Sequence, residues 1–338
     1  MRAIGYQNSL PSDDESALLD LDLPRPDPGP RDLLVAVRAV SVNPVDTKVR
    51  MRAQPEPGEA KVLGWDAAGV VEAVGSAVTL FQPGDAVYYA GALQRPGTNA
   101  QYHLVDERIV GRKAASLSDA EAAALPLTAL TAWEALFDRL DVARRVEGAA
   151  PAVLIVGGAG GVGSIATQLA RTQTDLSVIA TASRPETREW CLSLGAHHVV
   201  DHGKPLAAEV AALGIGSPAF VFSTTQTDRH LAEIAKLIAP QGRFALIDDP
   251  KTLDVSLLKQ KSVSLHWEFM FTRSMFETAD IQRQGDILNE TARLVDSGVL
   301  RTTLAERLAP INAANLRRVH ALIESGRAKG KIVLEGWE

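Results

Sequence analysis

The decisive stretch is Ala152-Val153-Leu154-Ile155-Val156-Gly157-Gly158-Ala159-Gly160-Gly161-Val162-Gly163. A short apolar run leads directly into glycines at positions 158, 160 and 163. In this spacing Gly158 permits a tight turn, Gly160 lets the backbone approach a pyrophosphate, and Gly163 lets the following helix pack close to the strand. The pattern therefore predicts a turn that binds a dinucleotide.

The segment after this turn has the period of a helix. Its apolar residues recur at i, i+3, i+4, i+7 and i+8, namely Val162, Ile165, Ala166, Leu169 and Ala170. Such a helix packs one face on a sheet while its N-terminal amides point toward the phosphates. A second apolar strand comes next, which completes the order that a nucleotide site requires.

The middle of the chain alternates strands with helices. Strands are predicted at 152–156, 177–182, 197–200, 219–223 and 243–247, and helices at 162–172, 185–194 and 228–238. This alternation predicts an α/β fold with a doubly wound parallel sheet. A last apolar strand at 263–269 and a helical stretch near 276–297 follow. Before residue 125 the chain instead has short strands and turns, with strands predicted at 33–42, 68–74 and 85–89, which indicates a compact β domain.

The composition excludes several classes of protein. With 338 residues, 46% of them hydrophobic and 22% charged, the chain suits two globular domains. A net charge of −6 without long basic runs favours neither nucleic acid nor an anionic membrane as the main partner. The uncharged run 148–170 is too rich in glycine for a membrane helix, and no signal peptide opens the chain, so we expect a cytoplasmic protein. The single cysteine, Cys191, is expected to be a buried structural thiol.

Several motifs along nearly the whole chain resemble the medium-chain dehydrogenase/reductase superfamily. The resemblance is to its quinone oxidoreductase (zeta-crystallin-like) branch, and more closely to proteins labelled zinc-type alcohol dehydrogenase-like. It implies a GroES-like β-rich catalytic domain at 1–127 and 273–338, a Rossmann domain that binds NADP at 128–272, and a cofactor cleft at their junction. The motifs are Val42-Asn43-Pro44-Val45-Asp46, Gly64-Trp65-Asp66-Ala67-Ala68-Gly69-Val70-Val71, Ala73-Val74-Gly75, Phe81-Gln82-Pro83-Gly84-Asp85-Ala86-Val87, Leu125-Pro126-Leu127-Thr128-Ala129-Leu130-Thr131-Ala132, the glycine turn, Leu194-Gly195-Ala196 and Gly330-Lys331-Ile332-Val333.

The zinc ligands of the zinc-dependent relatives are missing. Their first catalytic ligand, a cysteine, falls on Asn43, and the His-Glu pair of a Gly-His-Glu motif falls on Trp65 and Asp66. Zinc requires about three protein ligands with thiolate or imidazole character. The adjacent His197 and His198 point to opposite faces of a predicted strand, and the histidines at 103, 230, 266 and 320 are interpreted as surface or packing residues. We therefore expect no zinc.

Without a metal, reduction remains possible. Hydride can pass from a nicotinamide to the electron-poor carbon of a quinone or enone, while the protein supplies orientation and an oxyanion partner. The resemblance implies that Asn43, Asp46 and Lys48 are catalytic, with Asn43 in contact with cofactor or substrate. Relatives often have Tyr at the position of Lys48, so the proton donor stays open between Lys48 and water, and Lys48 can equally be a solvated surface residue.

Cofactor choice depends on the end of the second strand, where NAD enzymes carry an acidic residue. This chain has Ser183 and Arg184 there, and Arg188 one turn later either joins them or faces solvent. These groups can bind a 2′-phosphate, which favours NADPH. His202 falls where relatives often have a Tyr near the adenosine phosphate. The complete set of predicted cofactor residues is Asn43, Thr128, Gly158, Gly160, Gly161, Val162, Gly163, Ser183, Arg184, Arg188, His202, Ser223 and Lys331.

Three function classes follow. A metal-free NADPH reductase of quinones or enones is favoured over a zinc alcohol dehydrogenase with atypical ligands and over a protein that only binds NADPH, as in the lens and RNA-binding roles of zeta-crystallin-like relatives. The acceptor itself is not identified by the sequence.

The apolar strand 263–269 predicts an assembly. Its alternating Val263, Leu265, Trp267 and Phe269 would leave an aggregation-prone sheet edge if nothing covered it. Relatives pair the equivalent edge across a two-fold axis, so we expect a homodimer. The alternative is an edge shielded within the monomer by the helix near 276–297.

Overall fold

The computed structural model describes residues 1–337 and divides into two compact units. One unit comprises Met1–Leu130 together with the chain from Phe271 onward, and the other comprises Thr131–Met270. The boundaries predicted from the sequence were 127/128 and 272/273.

The unit formed by the two ends of the chain is rich in strands. Its strands are β1 Arg2–Tyr6, β2 Leu19–Asp22, β3 Asp32–Ser41, β4 Lys61–Val62, β5 Asp66–Val74, β6 Ala86–Tyr89, β7 Tyr102–Asp106, β8 Val110–Arg112, β15 Leu304–Leu308 and β16 Lys331–Glu335. Its helices are α1 Pro44–Arg52, α2 Asp119–Ala123, α8 Thr272–Met275, α9 Arg283–Asp296 and α10 Ala313–Glu324, and α3 Pro126–Trp133 begins in it. A short 3-10 helix spans Glu107–Ile109.

Two sheets organise this unit. One has the order β2-β1-β4, and the other has the order β15-β16-β3-β5-β6-β8 with β7 also paired to β3. Strand β16 pairs antiparallel with β3, so the C-terminal segment Lys331–Glu335 joins the sheet built by the N-terminal half. The large buried side chains, among them Trp65, Tyr88 and Tyr89, form its core. The structure thus confirms a β-rich domain separate from the parallel sheet.

The middle unit contains one six-stranded parallel sheet. Its strands are β9 Ala150–Val156, β10 Ser177–Thr181, β11 His198–Val200, β12 Pro218–Ser223, β13 Arg243–Leu246 and β14 Ser264–Trp267. Its helices are α4 Gly161–Gln173, α5 Pro185–Ser193, α6 Leu206–Ala211 and α7 Thr227–Leu237, with a π-helical segment Glu134–Arg139 after α3 and a 3-10 helix Val255–Lys261.

The strand order of this sheet is β11-β10-β9-β12-β13-β14, and every pair is parallel. Numbered within the unit it reads 3-2-1-4-5-6, the order of a Rossmann sheet. The order reverses beside β9, so the carboxyl end of β9, where the glycine turn begins, lies at the switch point where nucleotides bind. The structure confirms the predicted doubly wound sheet.

Two predicted elements differ from the structure. The helical stretch expected near 276–297 is shorter in the structure, because α8 already ends at Met275 and α9 begins only at Arg283. Between them Glu277 adopts a positive φ of 42°, which lies outside the helical region. The strand expected at 263–269 is shorter, with β14 ending at Trp267. Among residues 1–337, no helix has the length and apolar character that crossing a membrane would need.

Candidate functional site

The glycines in the turn after β9 have different roles from those predicted. Gly157, not Gly158, has the left-handed conformation, with φ of 81°, so it makes the tight turn that L side chains disfavour. Gly158 is needed for close packing, because a Cβ there would lie 2.7 Å from the Ala180 Cβ. Gly163 lets α4 approach the turn, since its Cβ would lie 2.2 Å from the Gly157 carbonyl oxygen.

Gly160 faces open space at the start of α4. A Cβ there would meet only the Gly157 oxygen, at 3.4 Å. As the N-cap of α4 it brings no capping side chain, and the first backbone bond of the helix runs from the Ser164 N–H to the Gly160 oxygen at 2.9 Å. The backbone N–H groups of Gly161, Val162 and Gly163 therefore lie at the N-terminus of α4 without a side-chain cap. Uncapped N–H groups at a helix N-terminus are the arrangement that binds a phosphate. The turn fits a pyrophosphate.

The end of β10 carries the residues expected to select NADPH. Ser183 is exposed, and Arg184 is the N-cap of α5. The Arg184 Nε lies 2.9 Å from the Glu186 carboxylate, with both side chains partly exposed. Arg188 is partly buried one turn later. Whether these groups bind the cofactor stays a prediction.

A hydroxyl on β10 connects the glycine turn to His202. The buried Thr181 accepts the Gly157 N–H at 3.0 Å, and its oxygen lies 3.2 Å from His202 Nδ1. The His202 ring meets the His230 ring edge to face, with centroids 6.3 Å apart. Burial lowers the pKa of both imidazoles, and the positive charge of Arg229 lowers each pKa further. Thr181 therefore links His202 to the turn by hydrogen bonds, and His230 meets the His202 ring by an aromatic contact.

A buried charged cluster lies in the other unit. The Lys331 ammonium donates to the Val42 carbonyl at 3.1 Å, to Asn43 Oδ1, and to Asp66 Oδ2 at 3.0 Å. Asn43 Nδ2 also donates to Asp66 Oδ2, at 2.8 Å, and the Leu127 N–H donates to Asp66 Oδ1 at 2.7 Å. Asn43, Asp66 and Lys331 are each at most 3% exposed. The cluster joins the start of β5, the last residues before α1 and the first residue of β16.

The hydrogen bonds within this cluster occupy polar groups that the sequence analysis assigned to cofactor binding. All three ammonium donors of Lys331 have acceptors within the chain, and both ends of the Asn43 amide have partners. The structure thereby gives both residues a cross-linking role that the sequence did not predict. A direct contact of Asn43 or Lys331 with cofactor or substrate stays a prediction.

Asp46 and Lys48 both lie on α1. The Asp46 carboxylate is fully buried and accepts the N–H of Asn43, the N-cap of the helix, at 2.8 Å. Burial raises the pKa of Asp46 to about 7, although the Asn43 N–H and the Lys331 charge oppose the rise. Lys48 is half-buried and lines an open groove of ≈ 470 Å³ beside Thr47 and Met51. Their catalytic roles stay predictions.

The residues at the zinc positions of relatives do not suit zinc. Asn43 offers a neutral amide, the Trp65 indole donates to the Ala92 oxygen at 3.4 Å, and the Asp66 carboxylate already accepts the Lys331 ammonium. Zinc would have to displace an internal cation to reach one weak oxygen ligand. Within residues 1–337 no group of three or more His, Cys, Asp or Glu side chains is arranged to hold a metal ion.

Four other predicted positions are buried in the structure. The Thr128 hydroxyl donates to the Leu125 carbonyl at 3.0 Å. Ser223 hydrogen bonds to the Thr227 hydroxyl at 2.8 Å. Cys191 is a buried free thiol whose pKa burial raises to about 11, as expected for a structural residue. His320 is packed in the interior, and its Nδ1 lies 2.9 Å from the Arg50 guanidinium.

Sequence reasoning missed Gly157, Thr181, Arg229 and the linking role of Asp66. A signal for Gly157 was present, since it precedes the first glycine of the motif directly after β9. Arg229 and His230 lie in the first turn of α7, and no local pattern shows that a helix after β12 reaches the residue that follows β11. The order of strands in the sheet decides which of these distant residues become neighbours.

Comparisons with known proteins agree with this geometry. Residues 29–116 match the family model of the alcohol dehydrogenase GroES-like domain, and residues 194–334 match that of the zinc-binding dehydrogenases. A zinc-type alcohol dehydrogenase-like protein of Staphylococcus epidermidis is 37% identical over 99% of both chains. The chain belongs to the medium-chain dehydrogenase/reductase family. As a member it has both a GroES-like and a Rossmann part, which confirms the resemblance noted in the sequence.

Other members of the medium-chain dehydrogenase/reductase family show the range of functions around this chain. A crystal structure of a proposed zinc-dependent alcohol dehydrogenase protein from Rhizobium etli CFN 42 is 67% identical, with a TM-score of 0.99, and covers 100% of this chain and 98% of its own. The quinone oxidoreductase of Pseudomonas syringae is 27% identical over 99% of both chains, with a TM-score of 0.82. The mycobacterial protein Rv1454c, solved with NADPH, is 27% identical over 99% of this chain and 100% of its own, with a TM-score of 0.82. The 2-methylene-furan-3-one reductase of Solanum lycopersicum is 28% identical over 94% of this chain and 74% of that protein.

Proposed function

We propose that this protein is an NADPH-dependent oxidoreductase that transfers hydride to a quinone or an α,β-unsaturated carbonyl compound without a metal. The observation that carries the proposal is the open glycine turn at the switch point of the Rossmann sheet, next to the basic end of β10. Related proteins that act on quinones or on a conjugated ketone, or that were solved with NADPH, support the same class.

Different groups of the chain would bind the cofactor and orient the acceptor. The first-turn amides of α4 and the Arg184 guanidinium would hold the phosphates. NADPH supplies the hydride when it is bound, and the conjugated carbonyl of the acceptor takes up the charge. The groove beside Lys48 is the candidate place for the acceptor, with the Lys48 ammonium or water as the source of the final proton.

The side chains of Asn43, Trp65 and Asp66 offer no thiolate or imidazole ligand, which supports a reaction that does not depend on zinc. The test is the rate of NADPH oxidation by a panel of quinones, enals and enones, measured before and after dialysis against a chelator. We expect turnover with at least one acceptor and an unchanged rate after chelation. Loss of activity that zinc restores would instead identify an alcohol dehydrogenase with atypical ligands, and NADPH binding without any turnover would identify a binding protein.

Cofactor preference is tested separately by titration with NADPH and NADH. We expect NADPH to bind more tightly, and Arg184→Ala to weaken NADPH alone, by roughly 1.5 to 3 kcal/mol for each charge-assisted hydrogen bond lost. NADH serves as the control, because it lacks the 2′-phosphate. Equal affinity of the wild type for both nucleotides would contradict the assignment.

A further inference from the structure

The chain between the first two strands lines the groove beside Lys48. We call this connection, residues 7–18, the strap, and it joins β1 to β2. Its residues 11–13 line the groove together with Lys48 and Met51 of α1 and with Glu324, the last residue of α10. The strap therefore bounds the space in which the proposed function places the acceptor.

The strap is anchored at both ends. Near its start, the Gln54 side chain donates to the Gln7 carbonyl at 2.9 Å and accepts the Ser9 N–H, also at 2.9 Å. At its end, the buried Leu18 accepts the Arg317 guanidinium at its carbonyl oxygen, at 2.8 Å. Any displacement of the strap must therefore occur between these anchors.

The middle of the strap is held by a side chain. Residues 13–16 are exposed, and the Ser16 N–H donates to Asp14 Oδ1 at 2.8 Å within the strap itself. The Ser12 hydroxyl instead donates to Glu324 Oε2 on α10, at 2.6 Å. This hydrogen bond therefore joins the middle of the strap to a helix.

Glu324 is itself fixed in place by a buried cation. Its Oε1 accepts from the Arg50 guanidinium, which is 0% exposed. Arg50 also contacts His320 Nδ1 at 2.9 Å, and burial together with the Arg50 charge lowers the pKa of His320 to about 3, so this imidazole is neutral and accepts. A buried guanidinium that loses its carboxylate is strongly unfavourable. Glu324 is therefore a fixed acceptor, and Ser12 is the partner that can move.

The groove has one fixed wall and one wall that can move. Helix α1 is held through Arg50, and at its end the Tyr6 hydroxyl donates to the Ala53 carbonyl at 2.5 Å. The strap is held between its anchors by the bond from Ser12 to Glu324, whose side chain is 31% exposed. Exposed segments with few buried contacts open locally at a low free energy. The strap is therefore the wall whose position can change.

We propose that the strap determines the size of the acceptor that the groove admits, with Ser12 and Glu324 as positioning residues that hold it close to α10. This inference rests on the proposed function, which places the acceptor beside Lys48. While the bond between Ser12 and Glu324 is intact, the groove favours an acceptor with one ring. When the bond is broken, residues 11–13 move outward and a larger ring system fits.

The experiment is steady-state kinetics of the whole protein at saturating NADPH, with benzoquinone, naphthoquinone and phenanthrenequinone. Crotonaldehyde and cinnamaldehyde form the equivalent small and large pair for enals. Ser12→Ala should raise the ratio of kcat/KM for the largest acceptor to that for the smallest by roughly three- to tenfold, mainly through KM, because one exposed charge-assisted hydrogen bond is lost. Comparing this ratio between variants cancels the different reactivities of the acceptors.

Two further variants and a control test the positioning role. Ser12→Thr keeps the hydroxyl and should keep the wild-type ratio, whereas Ser12→Asp places a like charge against Glu324 and should raise the ratio at least as far as alanine does. Ser16→Ala is the matched control, because Ser16 is an exposed serine of the same strap. Hydrogen exchange without acceptor is the second readout: amides of residues 10–16 should exchange faster in Ser12→Ala, and those of α1 should not.

The outcomes separate this inference from the proposed function. Turnover by the wild type with an unchanged ratio in Ser12→Ala would overturn the inference and leave the proposed function standing, whether or not exchange in the strap becomes faster. A ratio that rises equally in Ser12→Thr or Ser16→Ala would also overturn it, because the Ser12 hydroxyl would then not be what holds the strap. No oxidation of NADPH by any quinone, enal or enone would overturn both.

Discussion

At the scale of single residues, the nucleotide turn shows that similar glycines meet different constraints. Gly157 is required by its positive φ, and Gly158 and Gly163 by the atoms that a Cβ would strike. Gly160 has no such constraint, because its φ of −71° and ψ of 175° are open to any residue and its Cβ position is nearly free. The fold itself therefore does not require glycine at 160. A phosphate bound next to this residue would require it, because a side chain would occupy the same space.

This difference gives a matched pair of variants. Gly160→Val should abolish NADPH binding with little change in the unfolding temperature, because its side chain occupies the space that the pyrophosphate needs. Gly163→Ala should lower the stability by about 1 to 3 kcal/mol through overpacking against Gly157. Nucleotide titration and thermal unfolding of both variants check this. Normal NADPH binding by Gly160→Val would remove this glycine from the site.

At the scale of elements, the start of α1 depends on a buried carboxyl. Asp46 holds the N-cap residue Asn43, and Asn43 in turn is linked to Asp66 and Lys331. The Asn-Pro dipeptide predicts that a helix starts here, since proline suits its first position. The sequence does not show that the carboxyl in the first turn is fully enclosed.

The buried Asp46 predicts a specific pH dependence of stability. Its pKa is about 7 in the folded protein against an ordinary value of 3.8, so the folded state binds more protons between these values and loses stability as pH rises through them. Asp46→Asn, which keeps an oxygen acceptor for the Asn43 N–H, should remove that loss and be more stable than the wild type above pH 7. Denaturant unfolding at pH 5 and pH 8, compared between the two proteins, measures the effect. A stability difference that is equal at both pH values would show that Asp46 is not protonated in the folded state.

At the scale of the whole molecule, β14 ends the Rossmann sheet and pairs within the described residues only with β13. The Ser264 N–H donates to the Gly242 oxygen and the Glu268 N–H to the Leu246 oxygen. Since donors alternate along a parallel strand, the N–H groups of Leu265 and Trp267 are directed away from β13. Trp267 is 55% exposed. This edge is suited to pairing with a second copy.

We therefore predict a homodimer through β14. Leu265→Pro removes an outward donor rather than a bond to β13, and Trp267→Lys places a charge at the edge without touching the core, so both should shift the protein toward monomer. Light scattering should give twice the mass of one chain for the wild type. A wild-type monomer at micromolar concentration would refute the prediction.

The sequence by itself determined most of the order and type of the elements in the Rossmann unit, although it missed helix α6. The strands predicted at 152–156, 177–182 and 243–247 agree closely with β9, β10 and β13, because apolar runs and the spacing of glycines are local properties of the chain. The same is true of the helix after the turn, whose period of apolar residues matches α4. The helical stretch expected near 276–297 was too long, because Glu277 has a positive φ of 42° and the helix begins only at Arg283.

Only the tertiary structure decided which distant groups meet. Asp66 and Lys331 are 265 positions apart, and they form an ion pair because β16 is placed in the sheet next to β3. His202 and His230 become neighbours because helix α7, after β12, packs against the region that follows β11. Such contacts depend on long-range strand pairing, for which the local pattern of the sequence carries no signal. The physical reason is that residue types and their spacing fix local conformation, whereas partners of buried polar groups are selected only when the sheet closes around them.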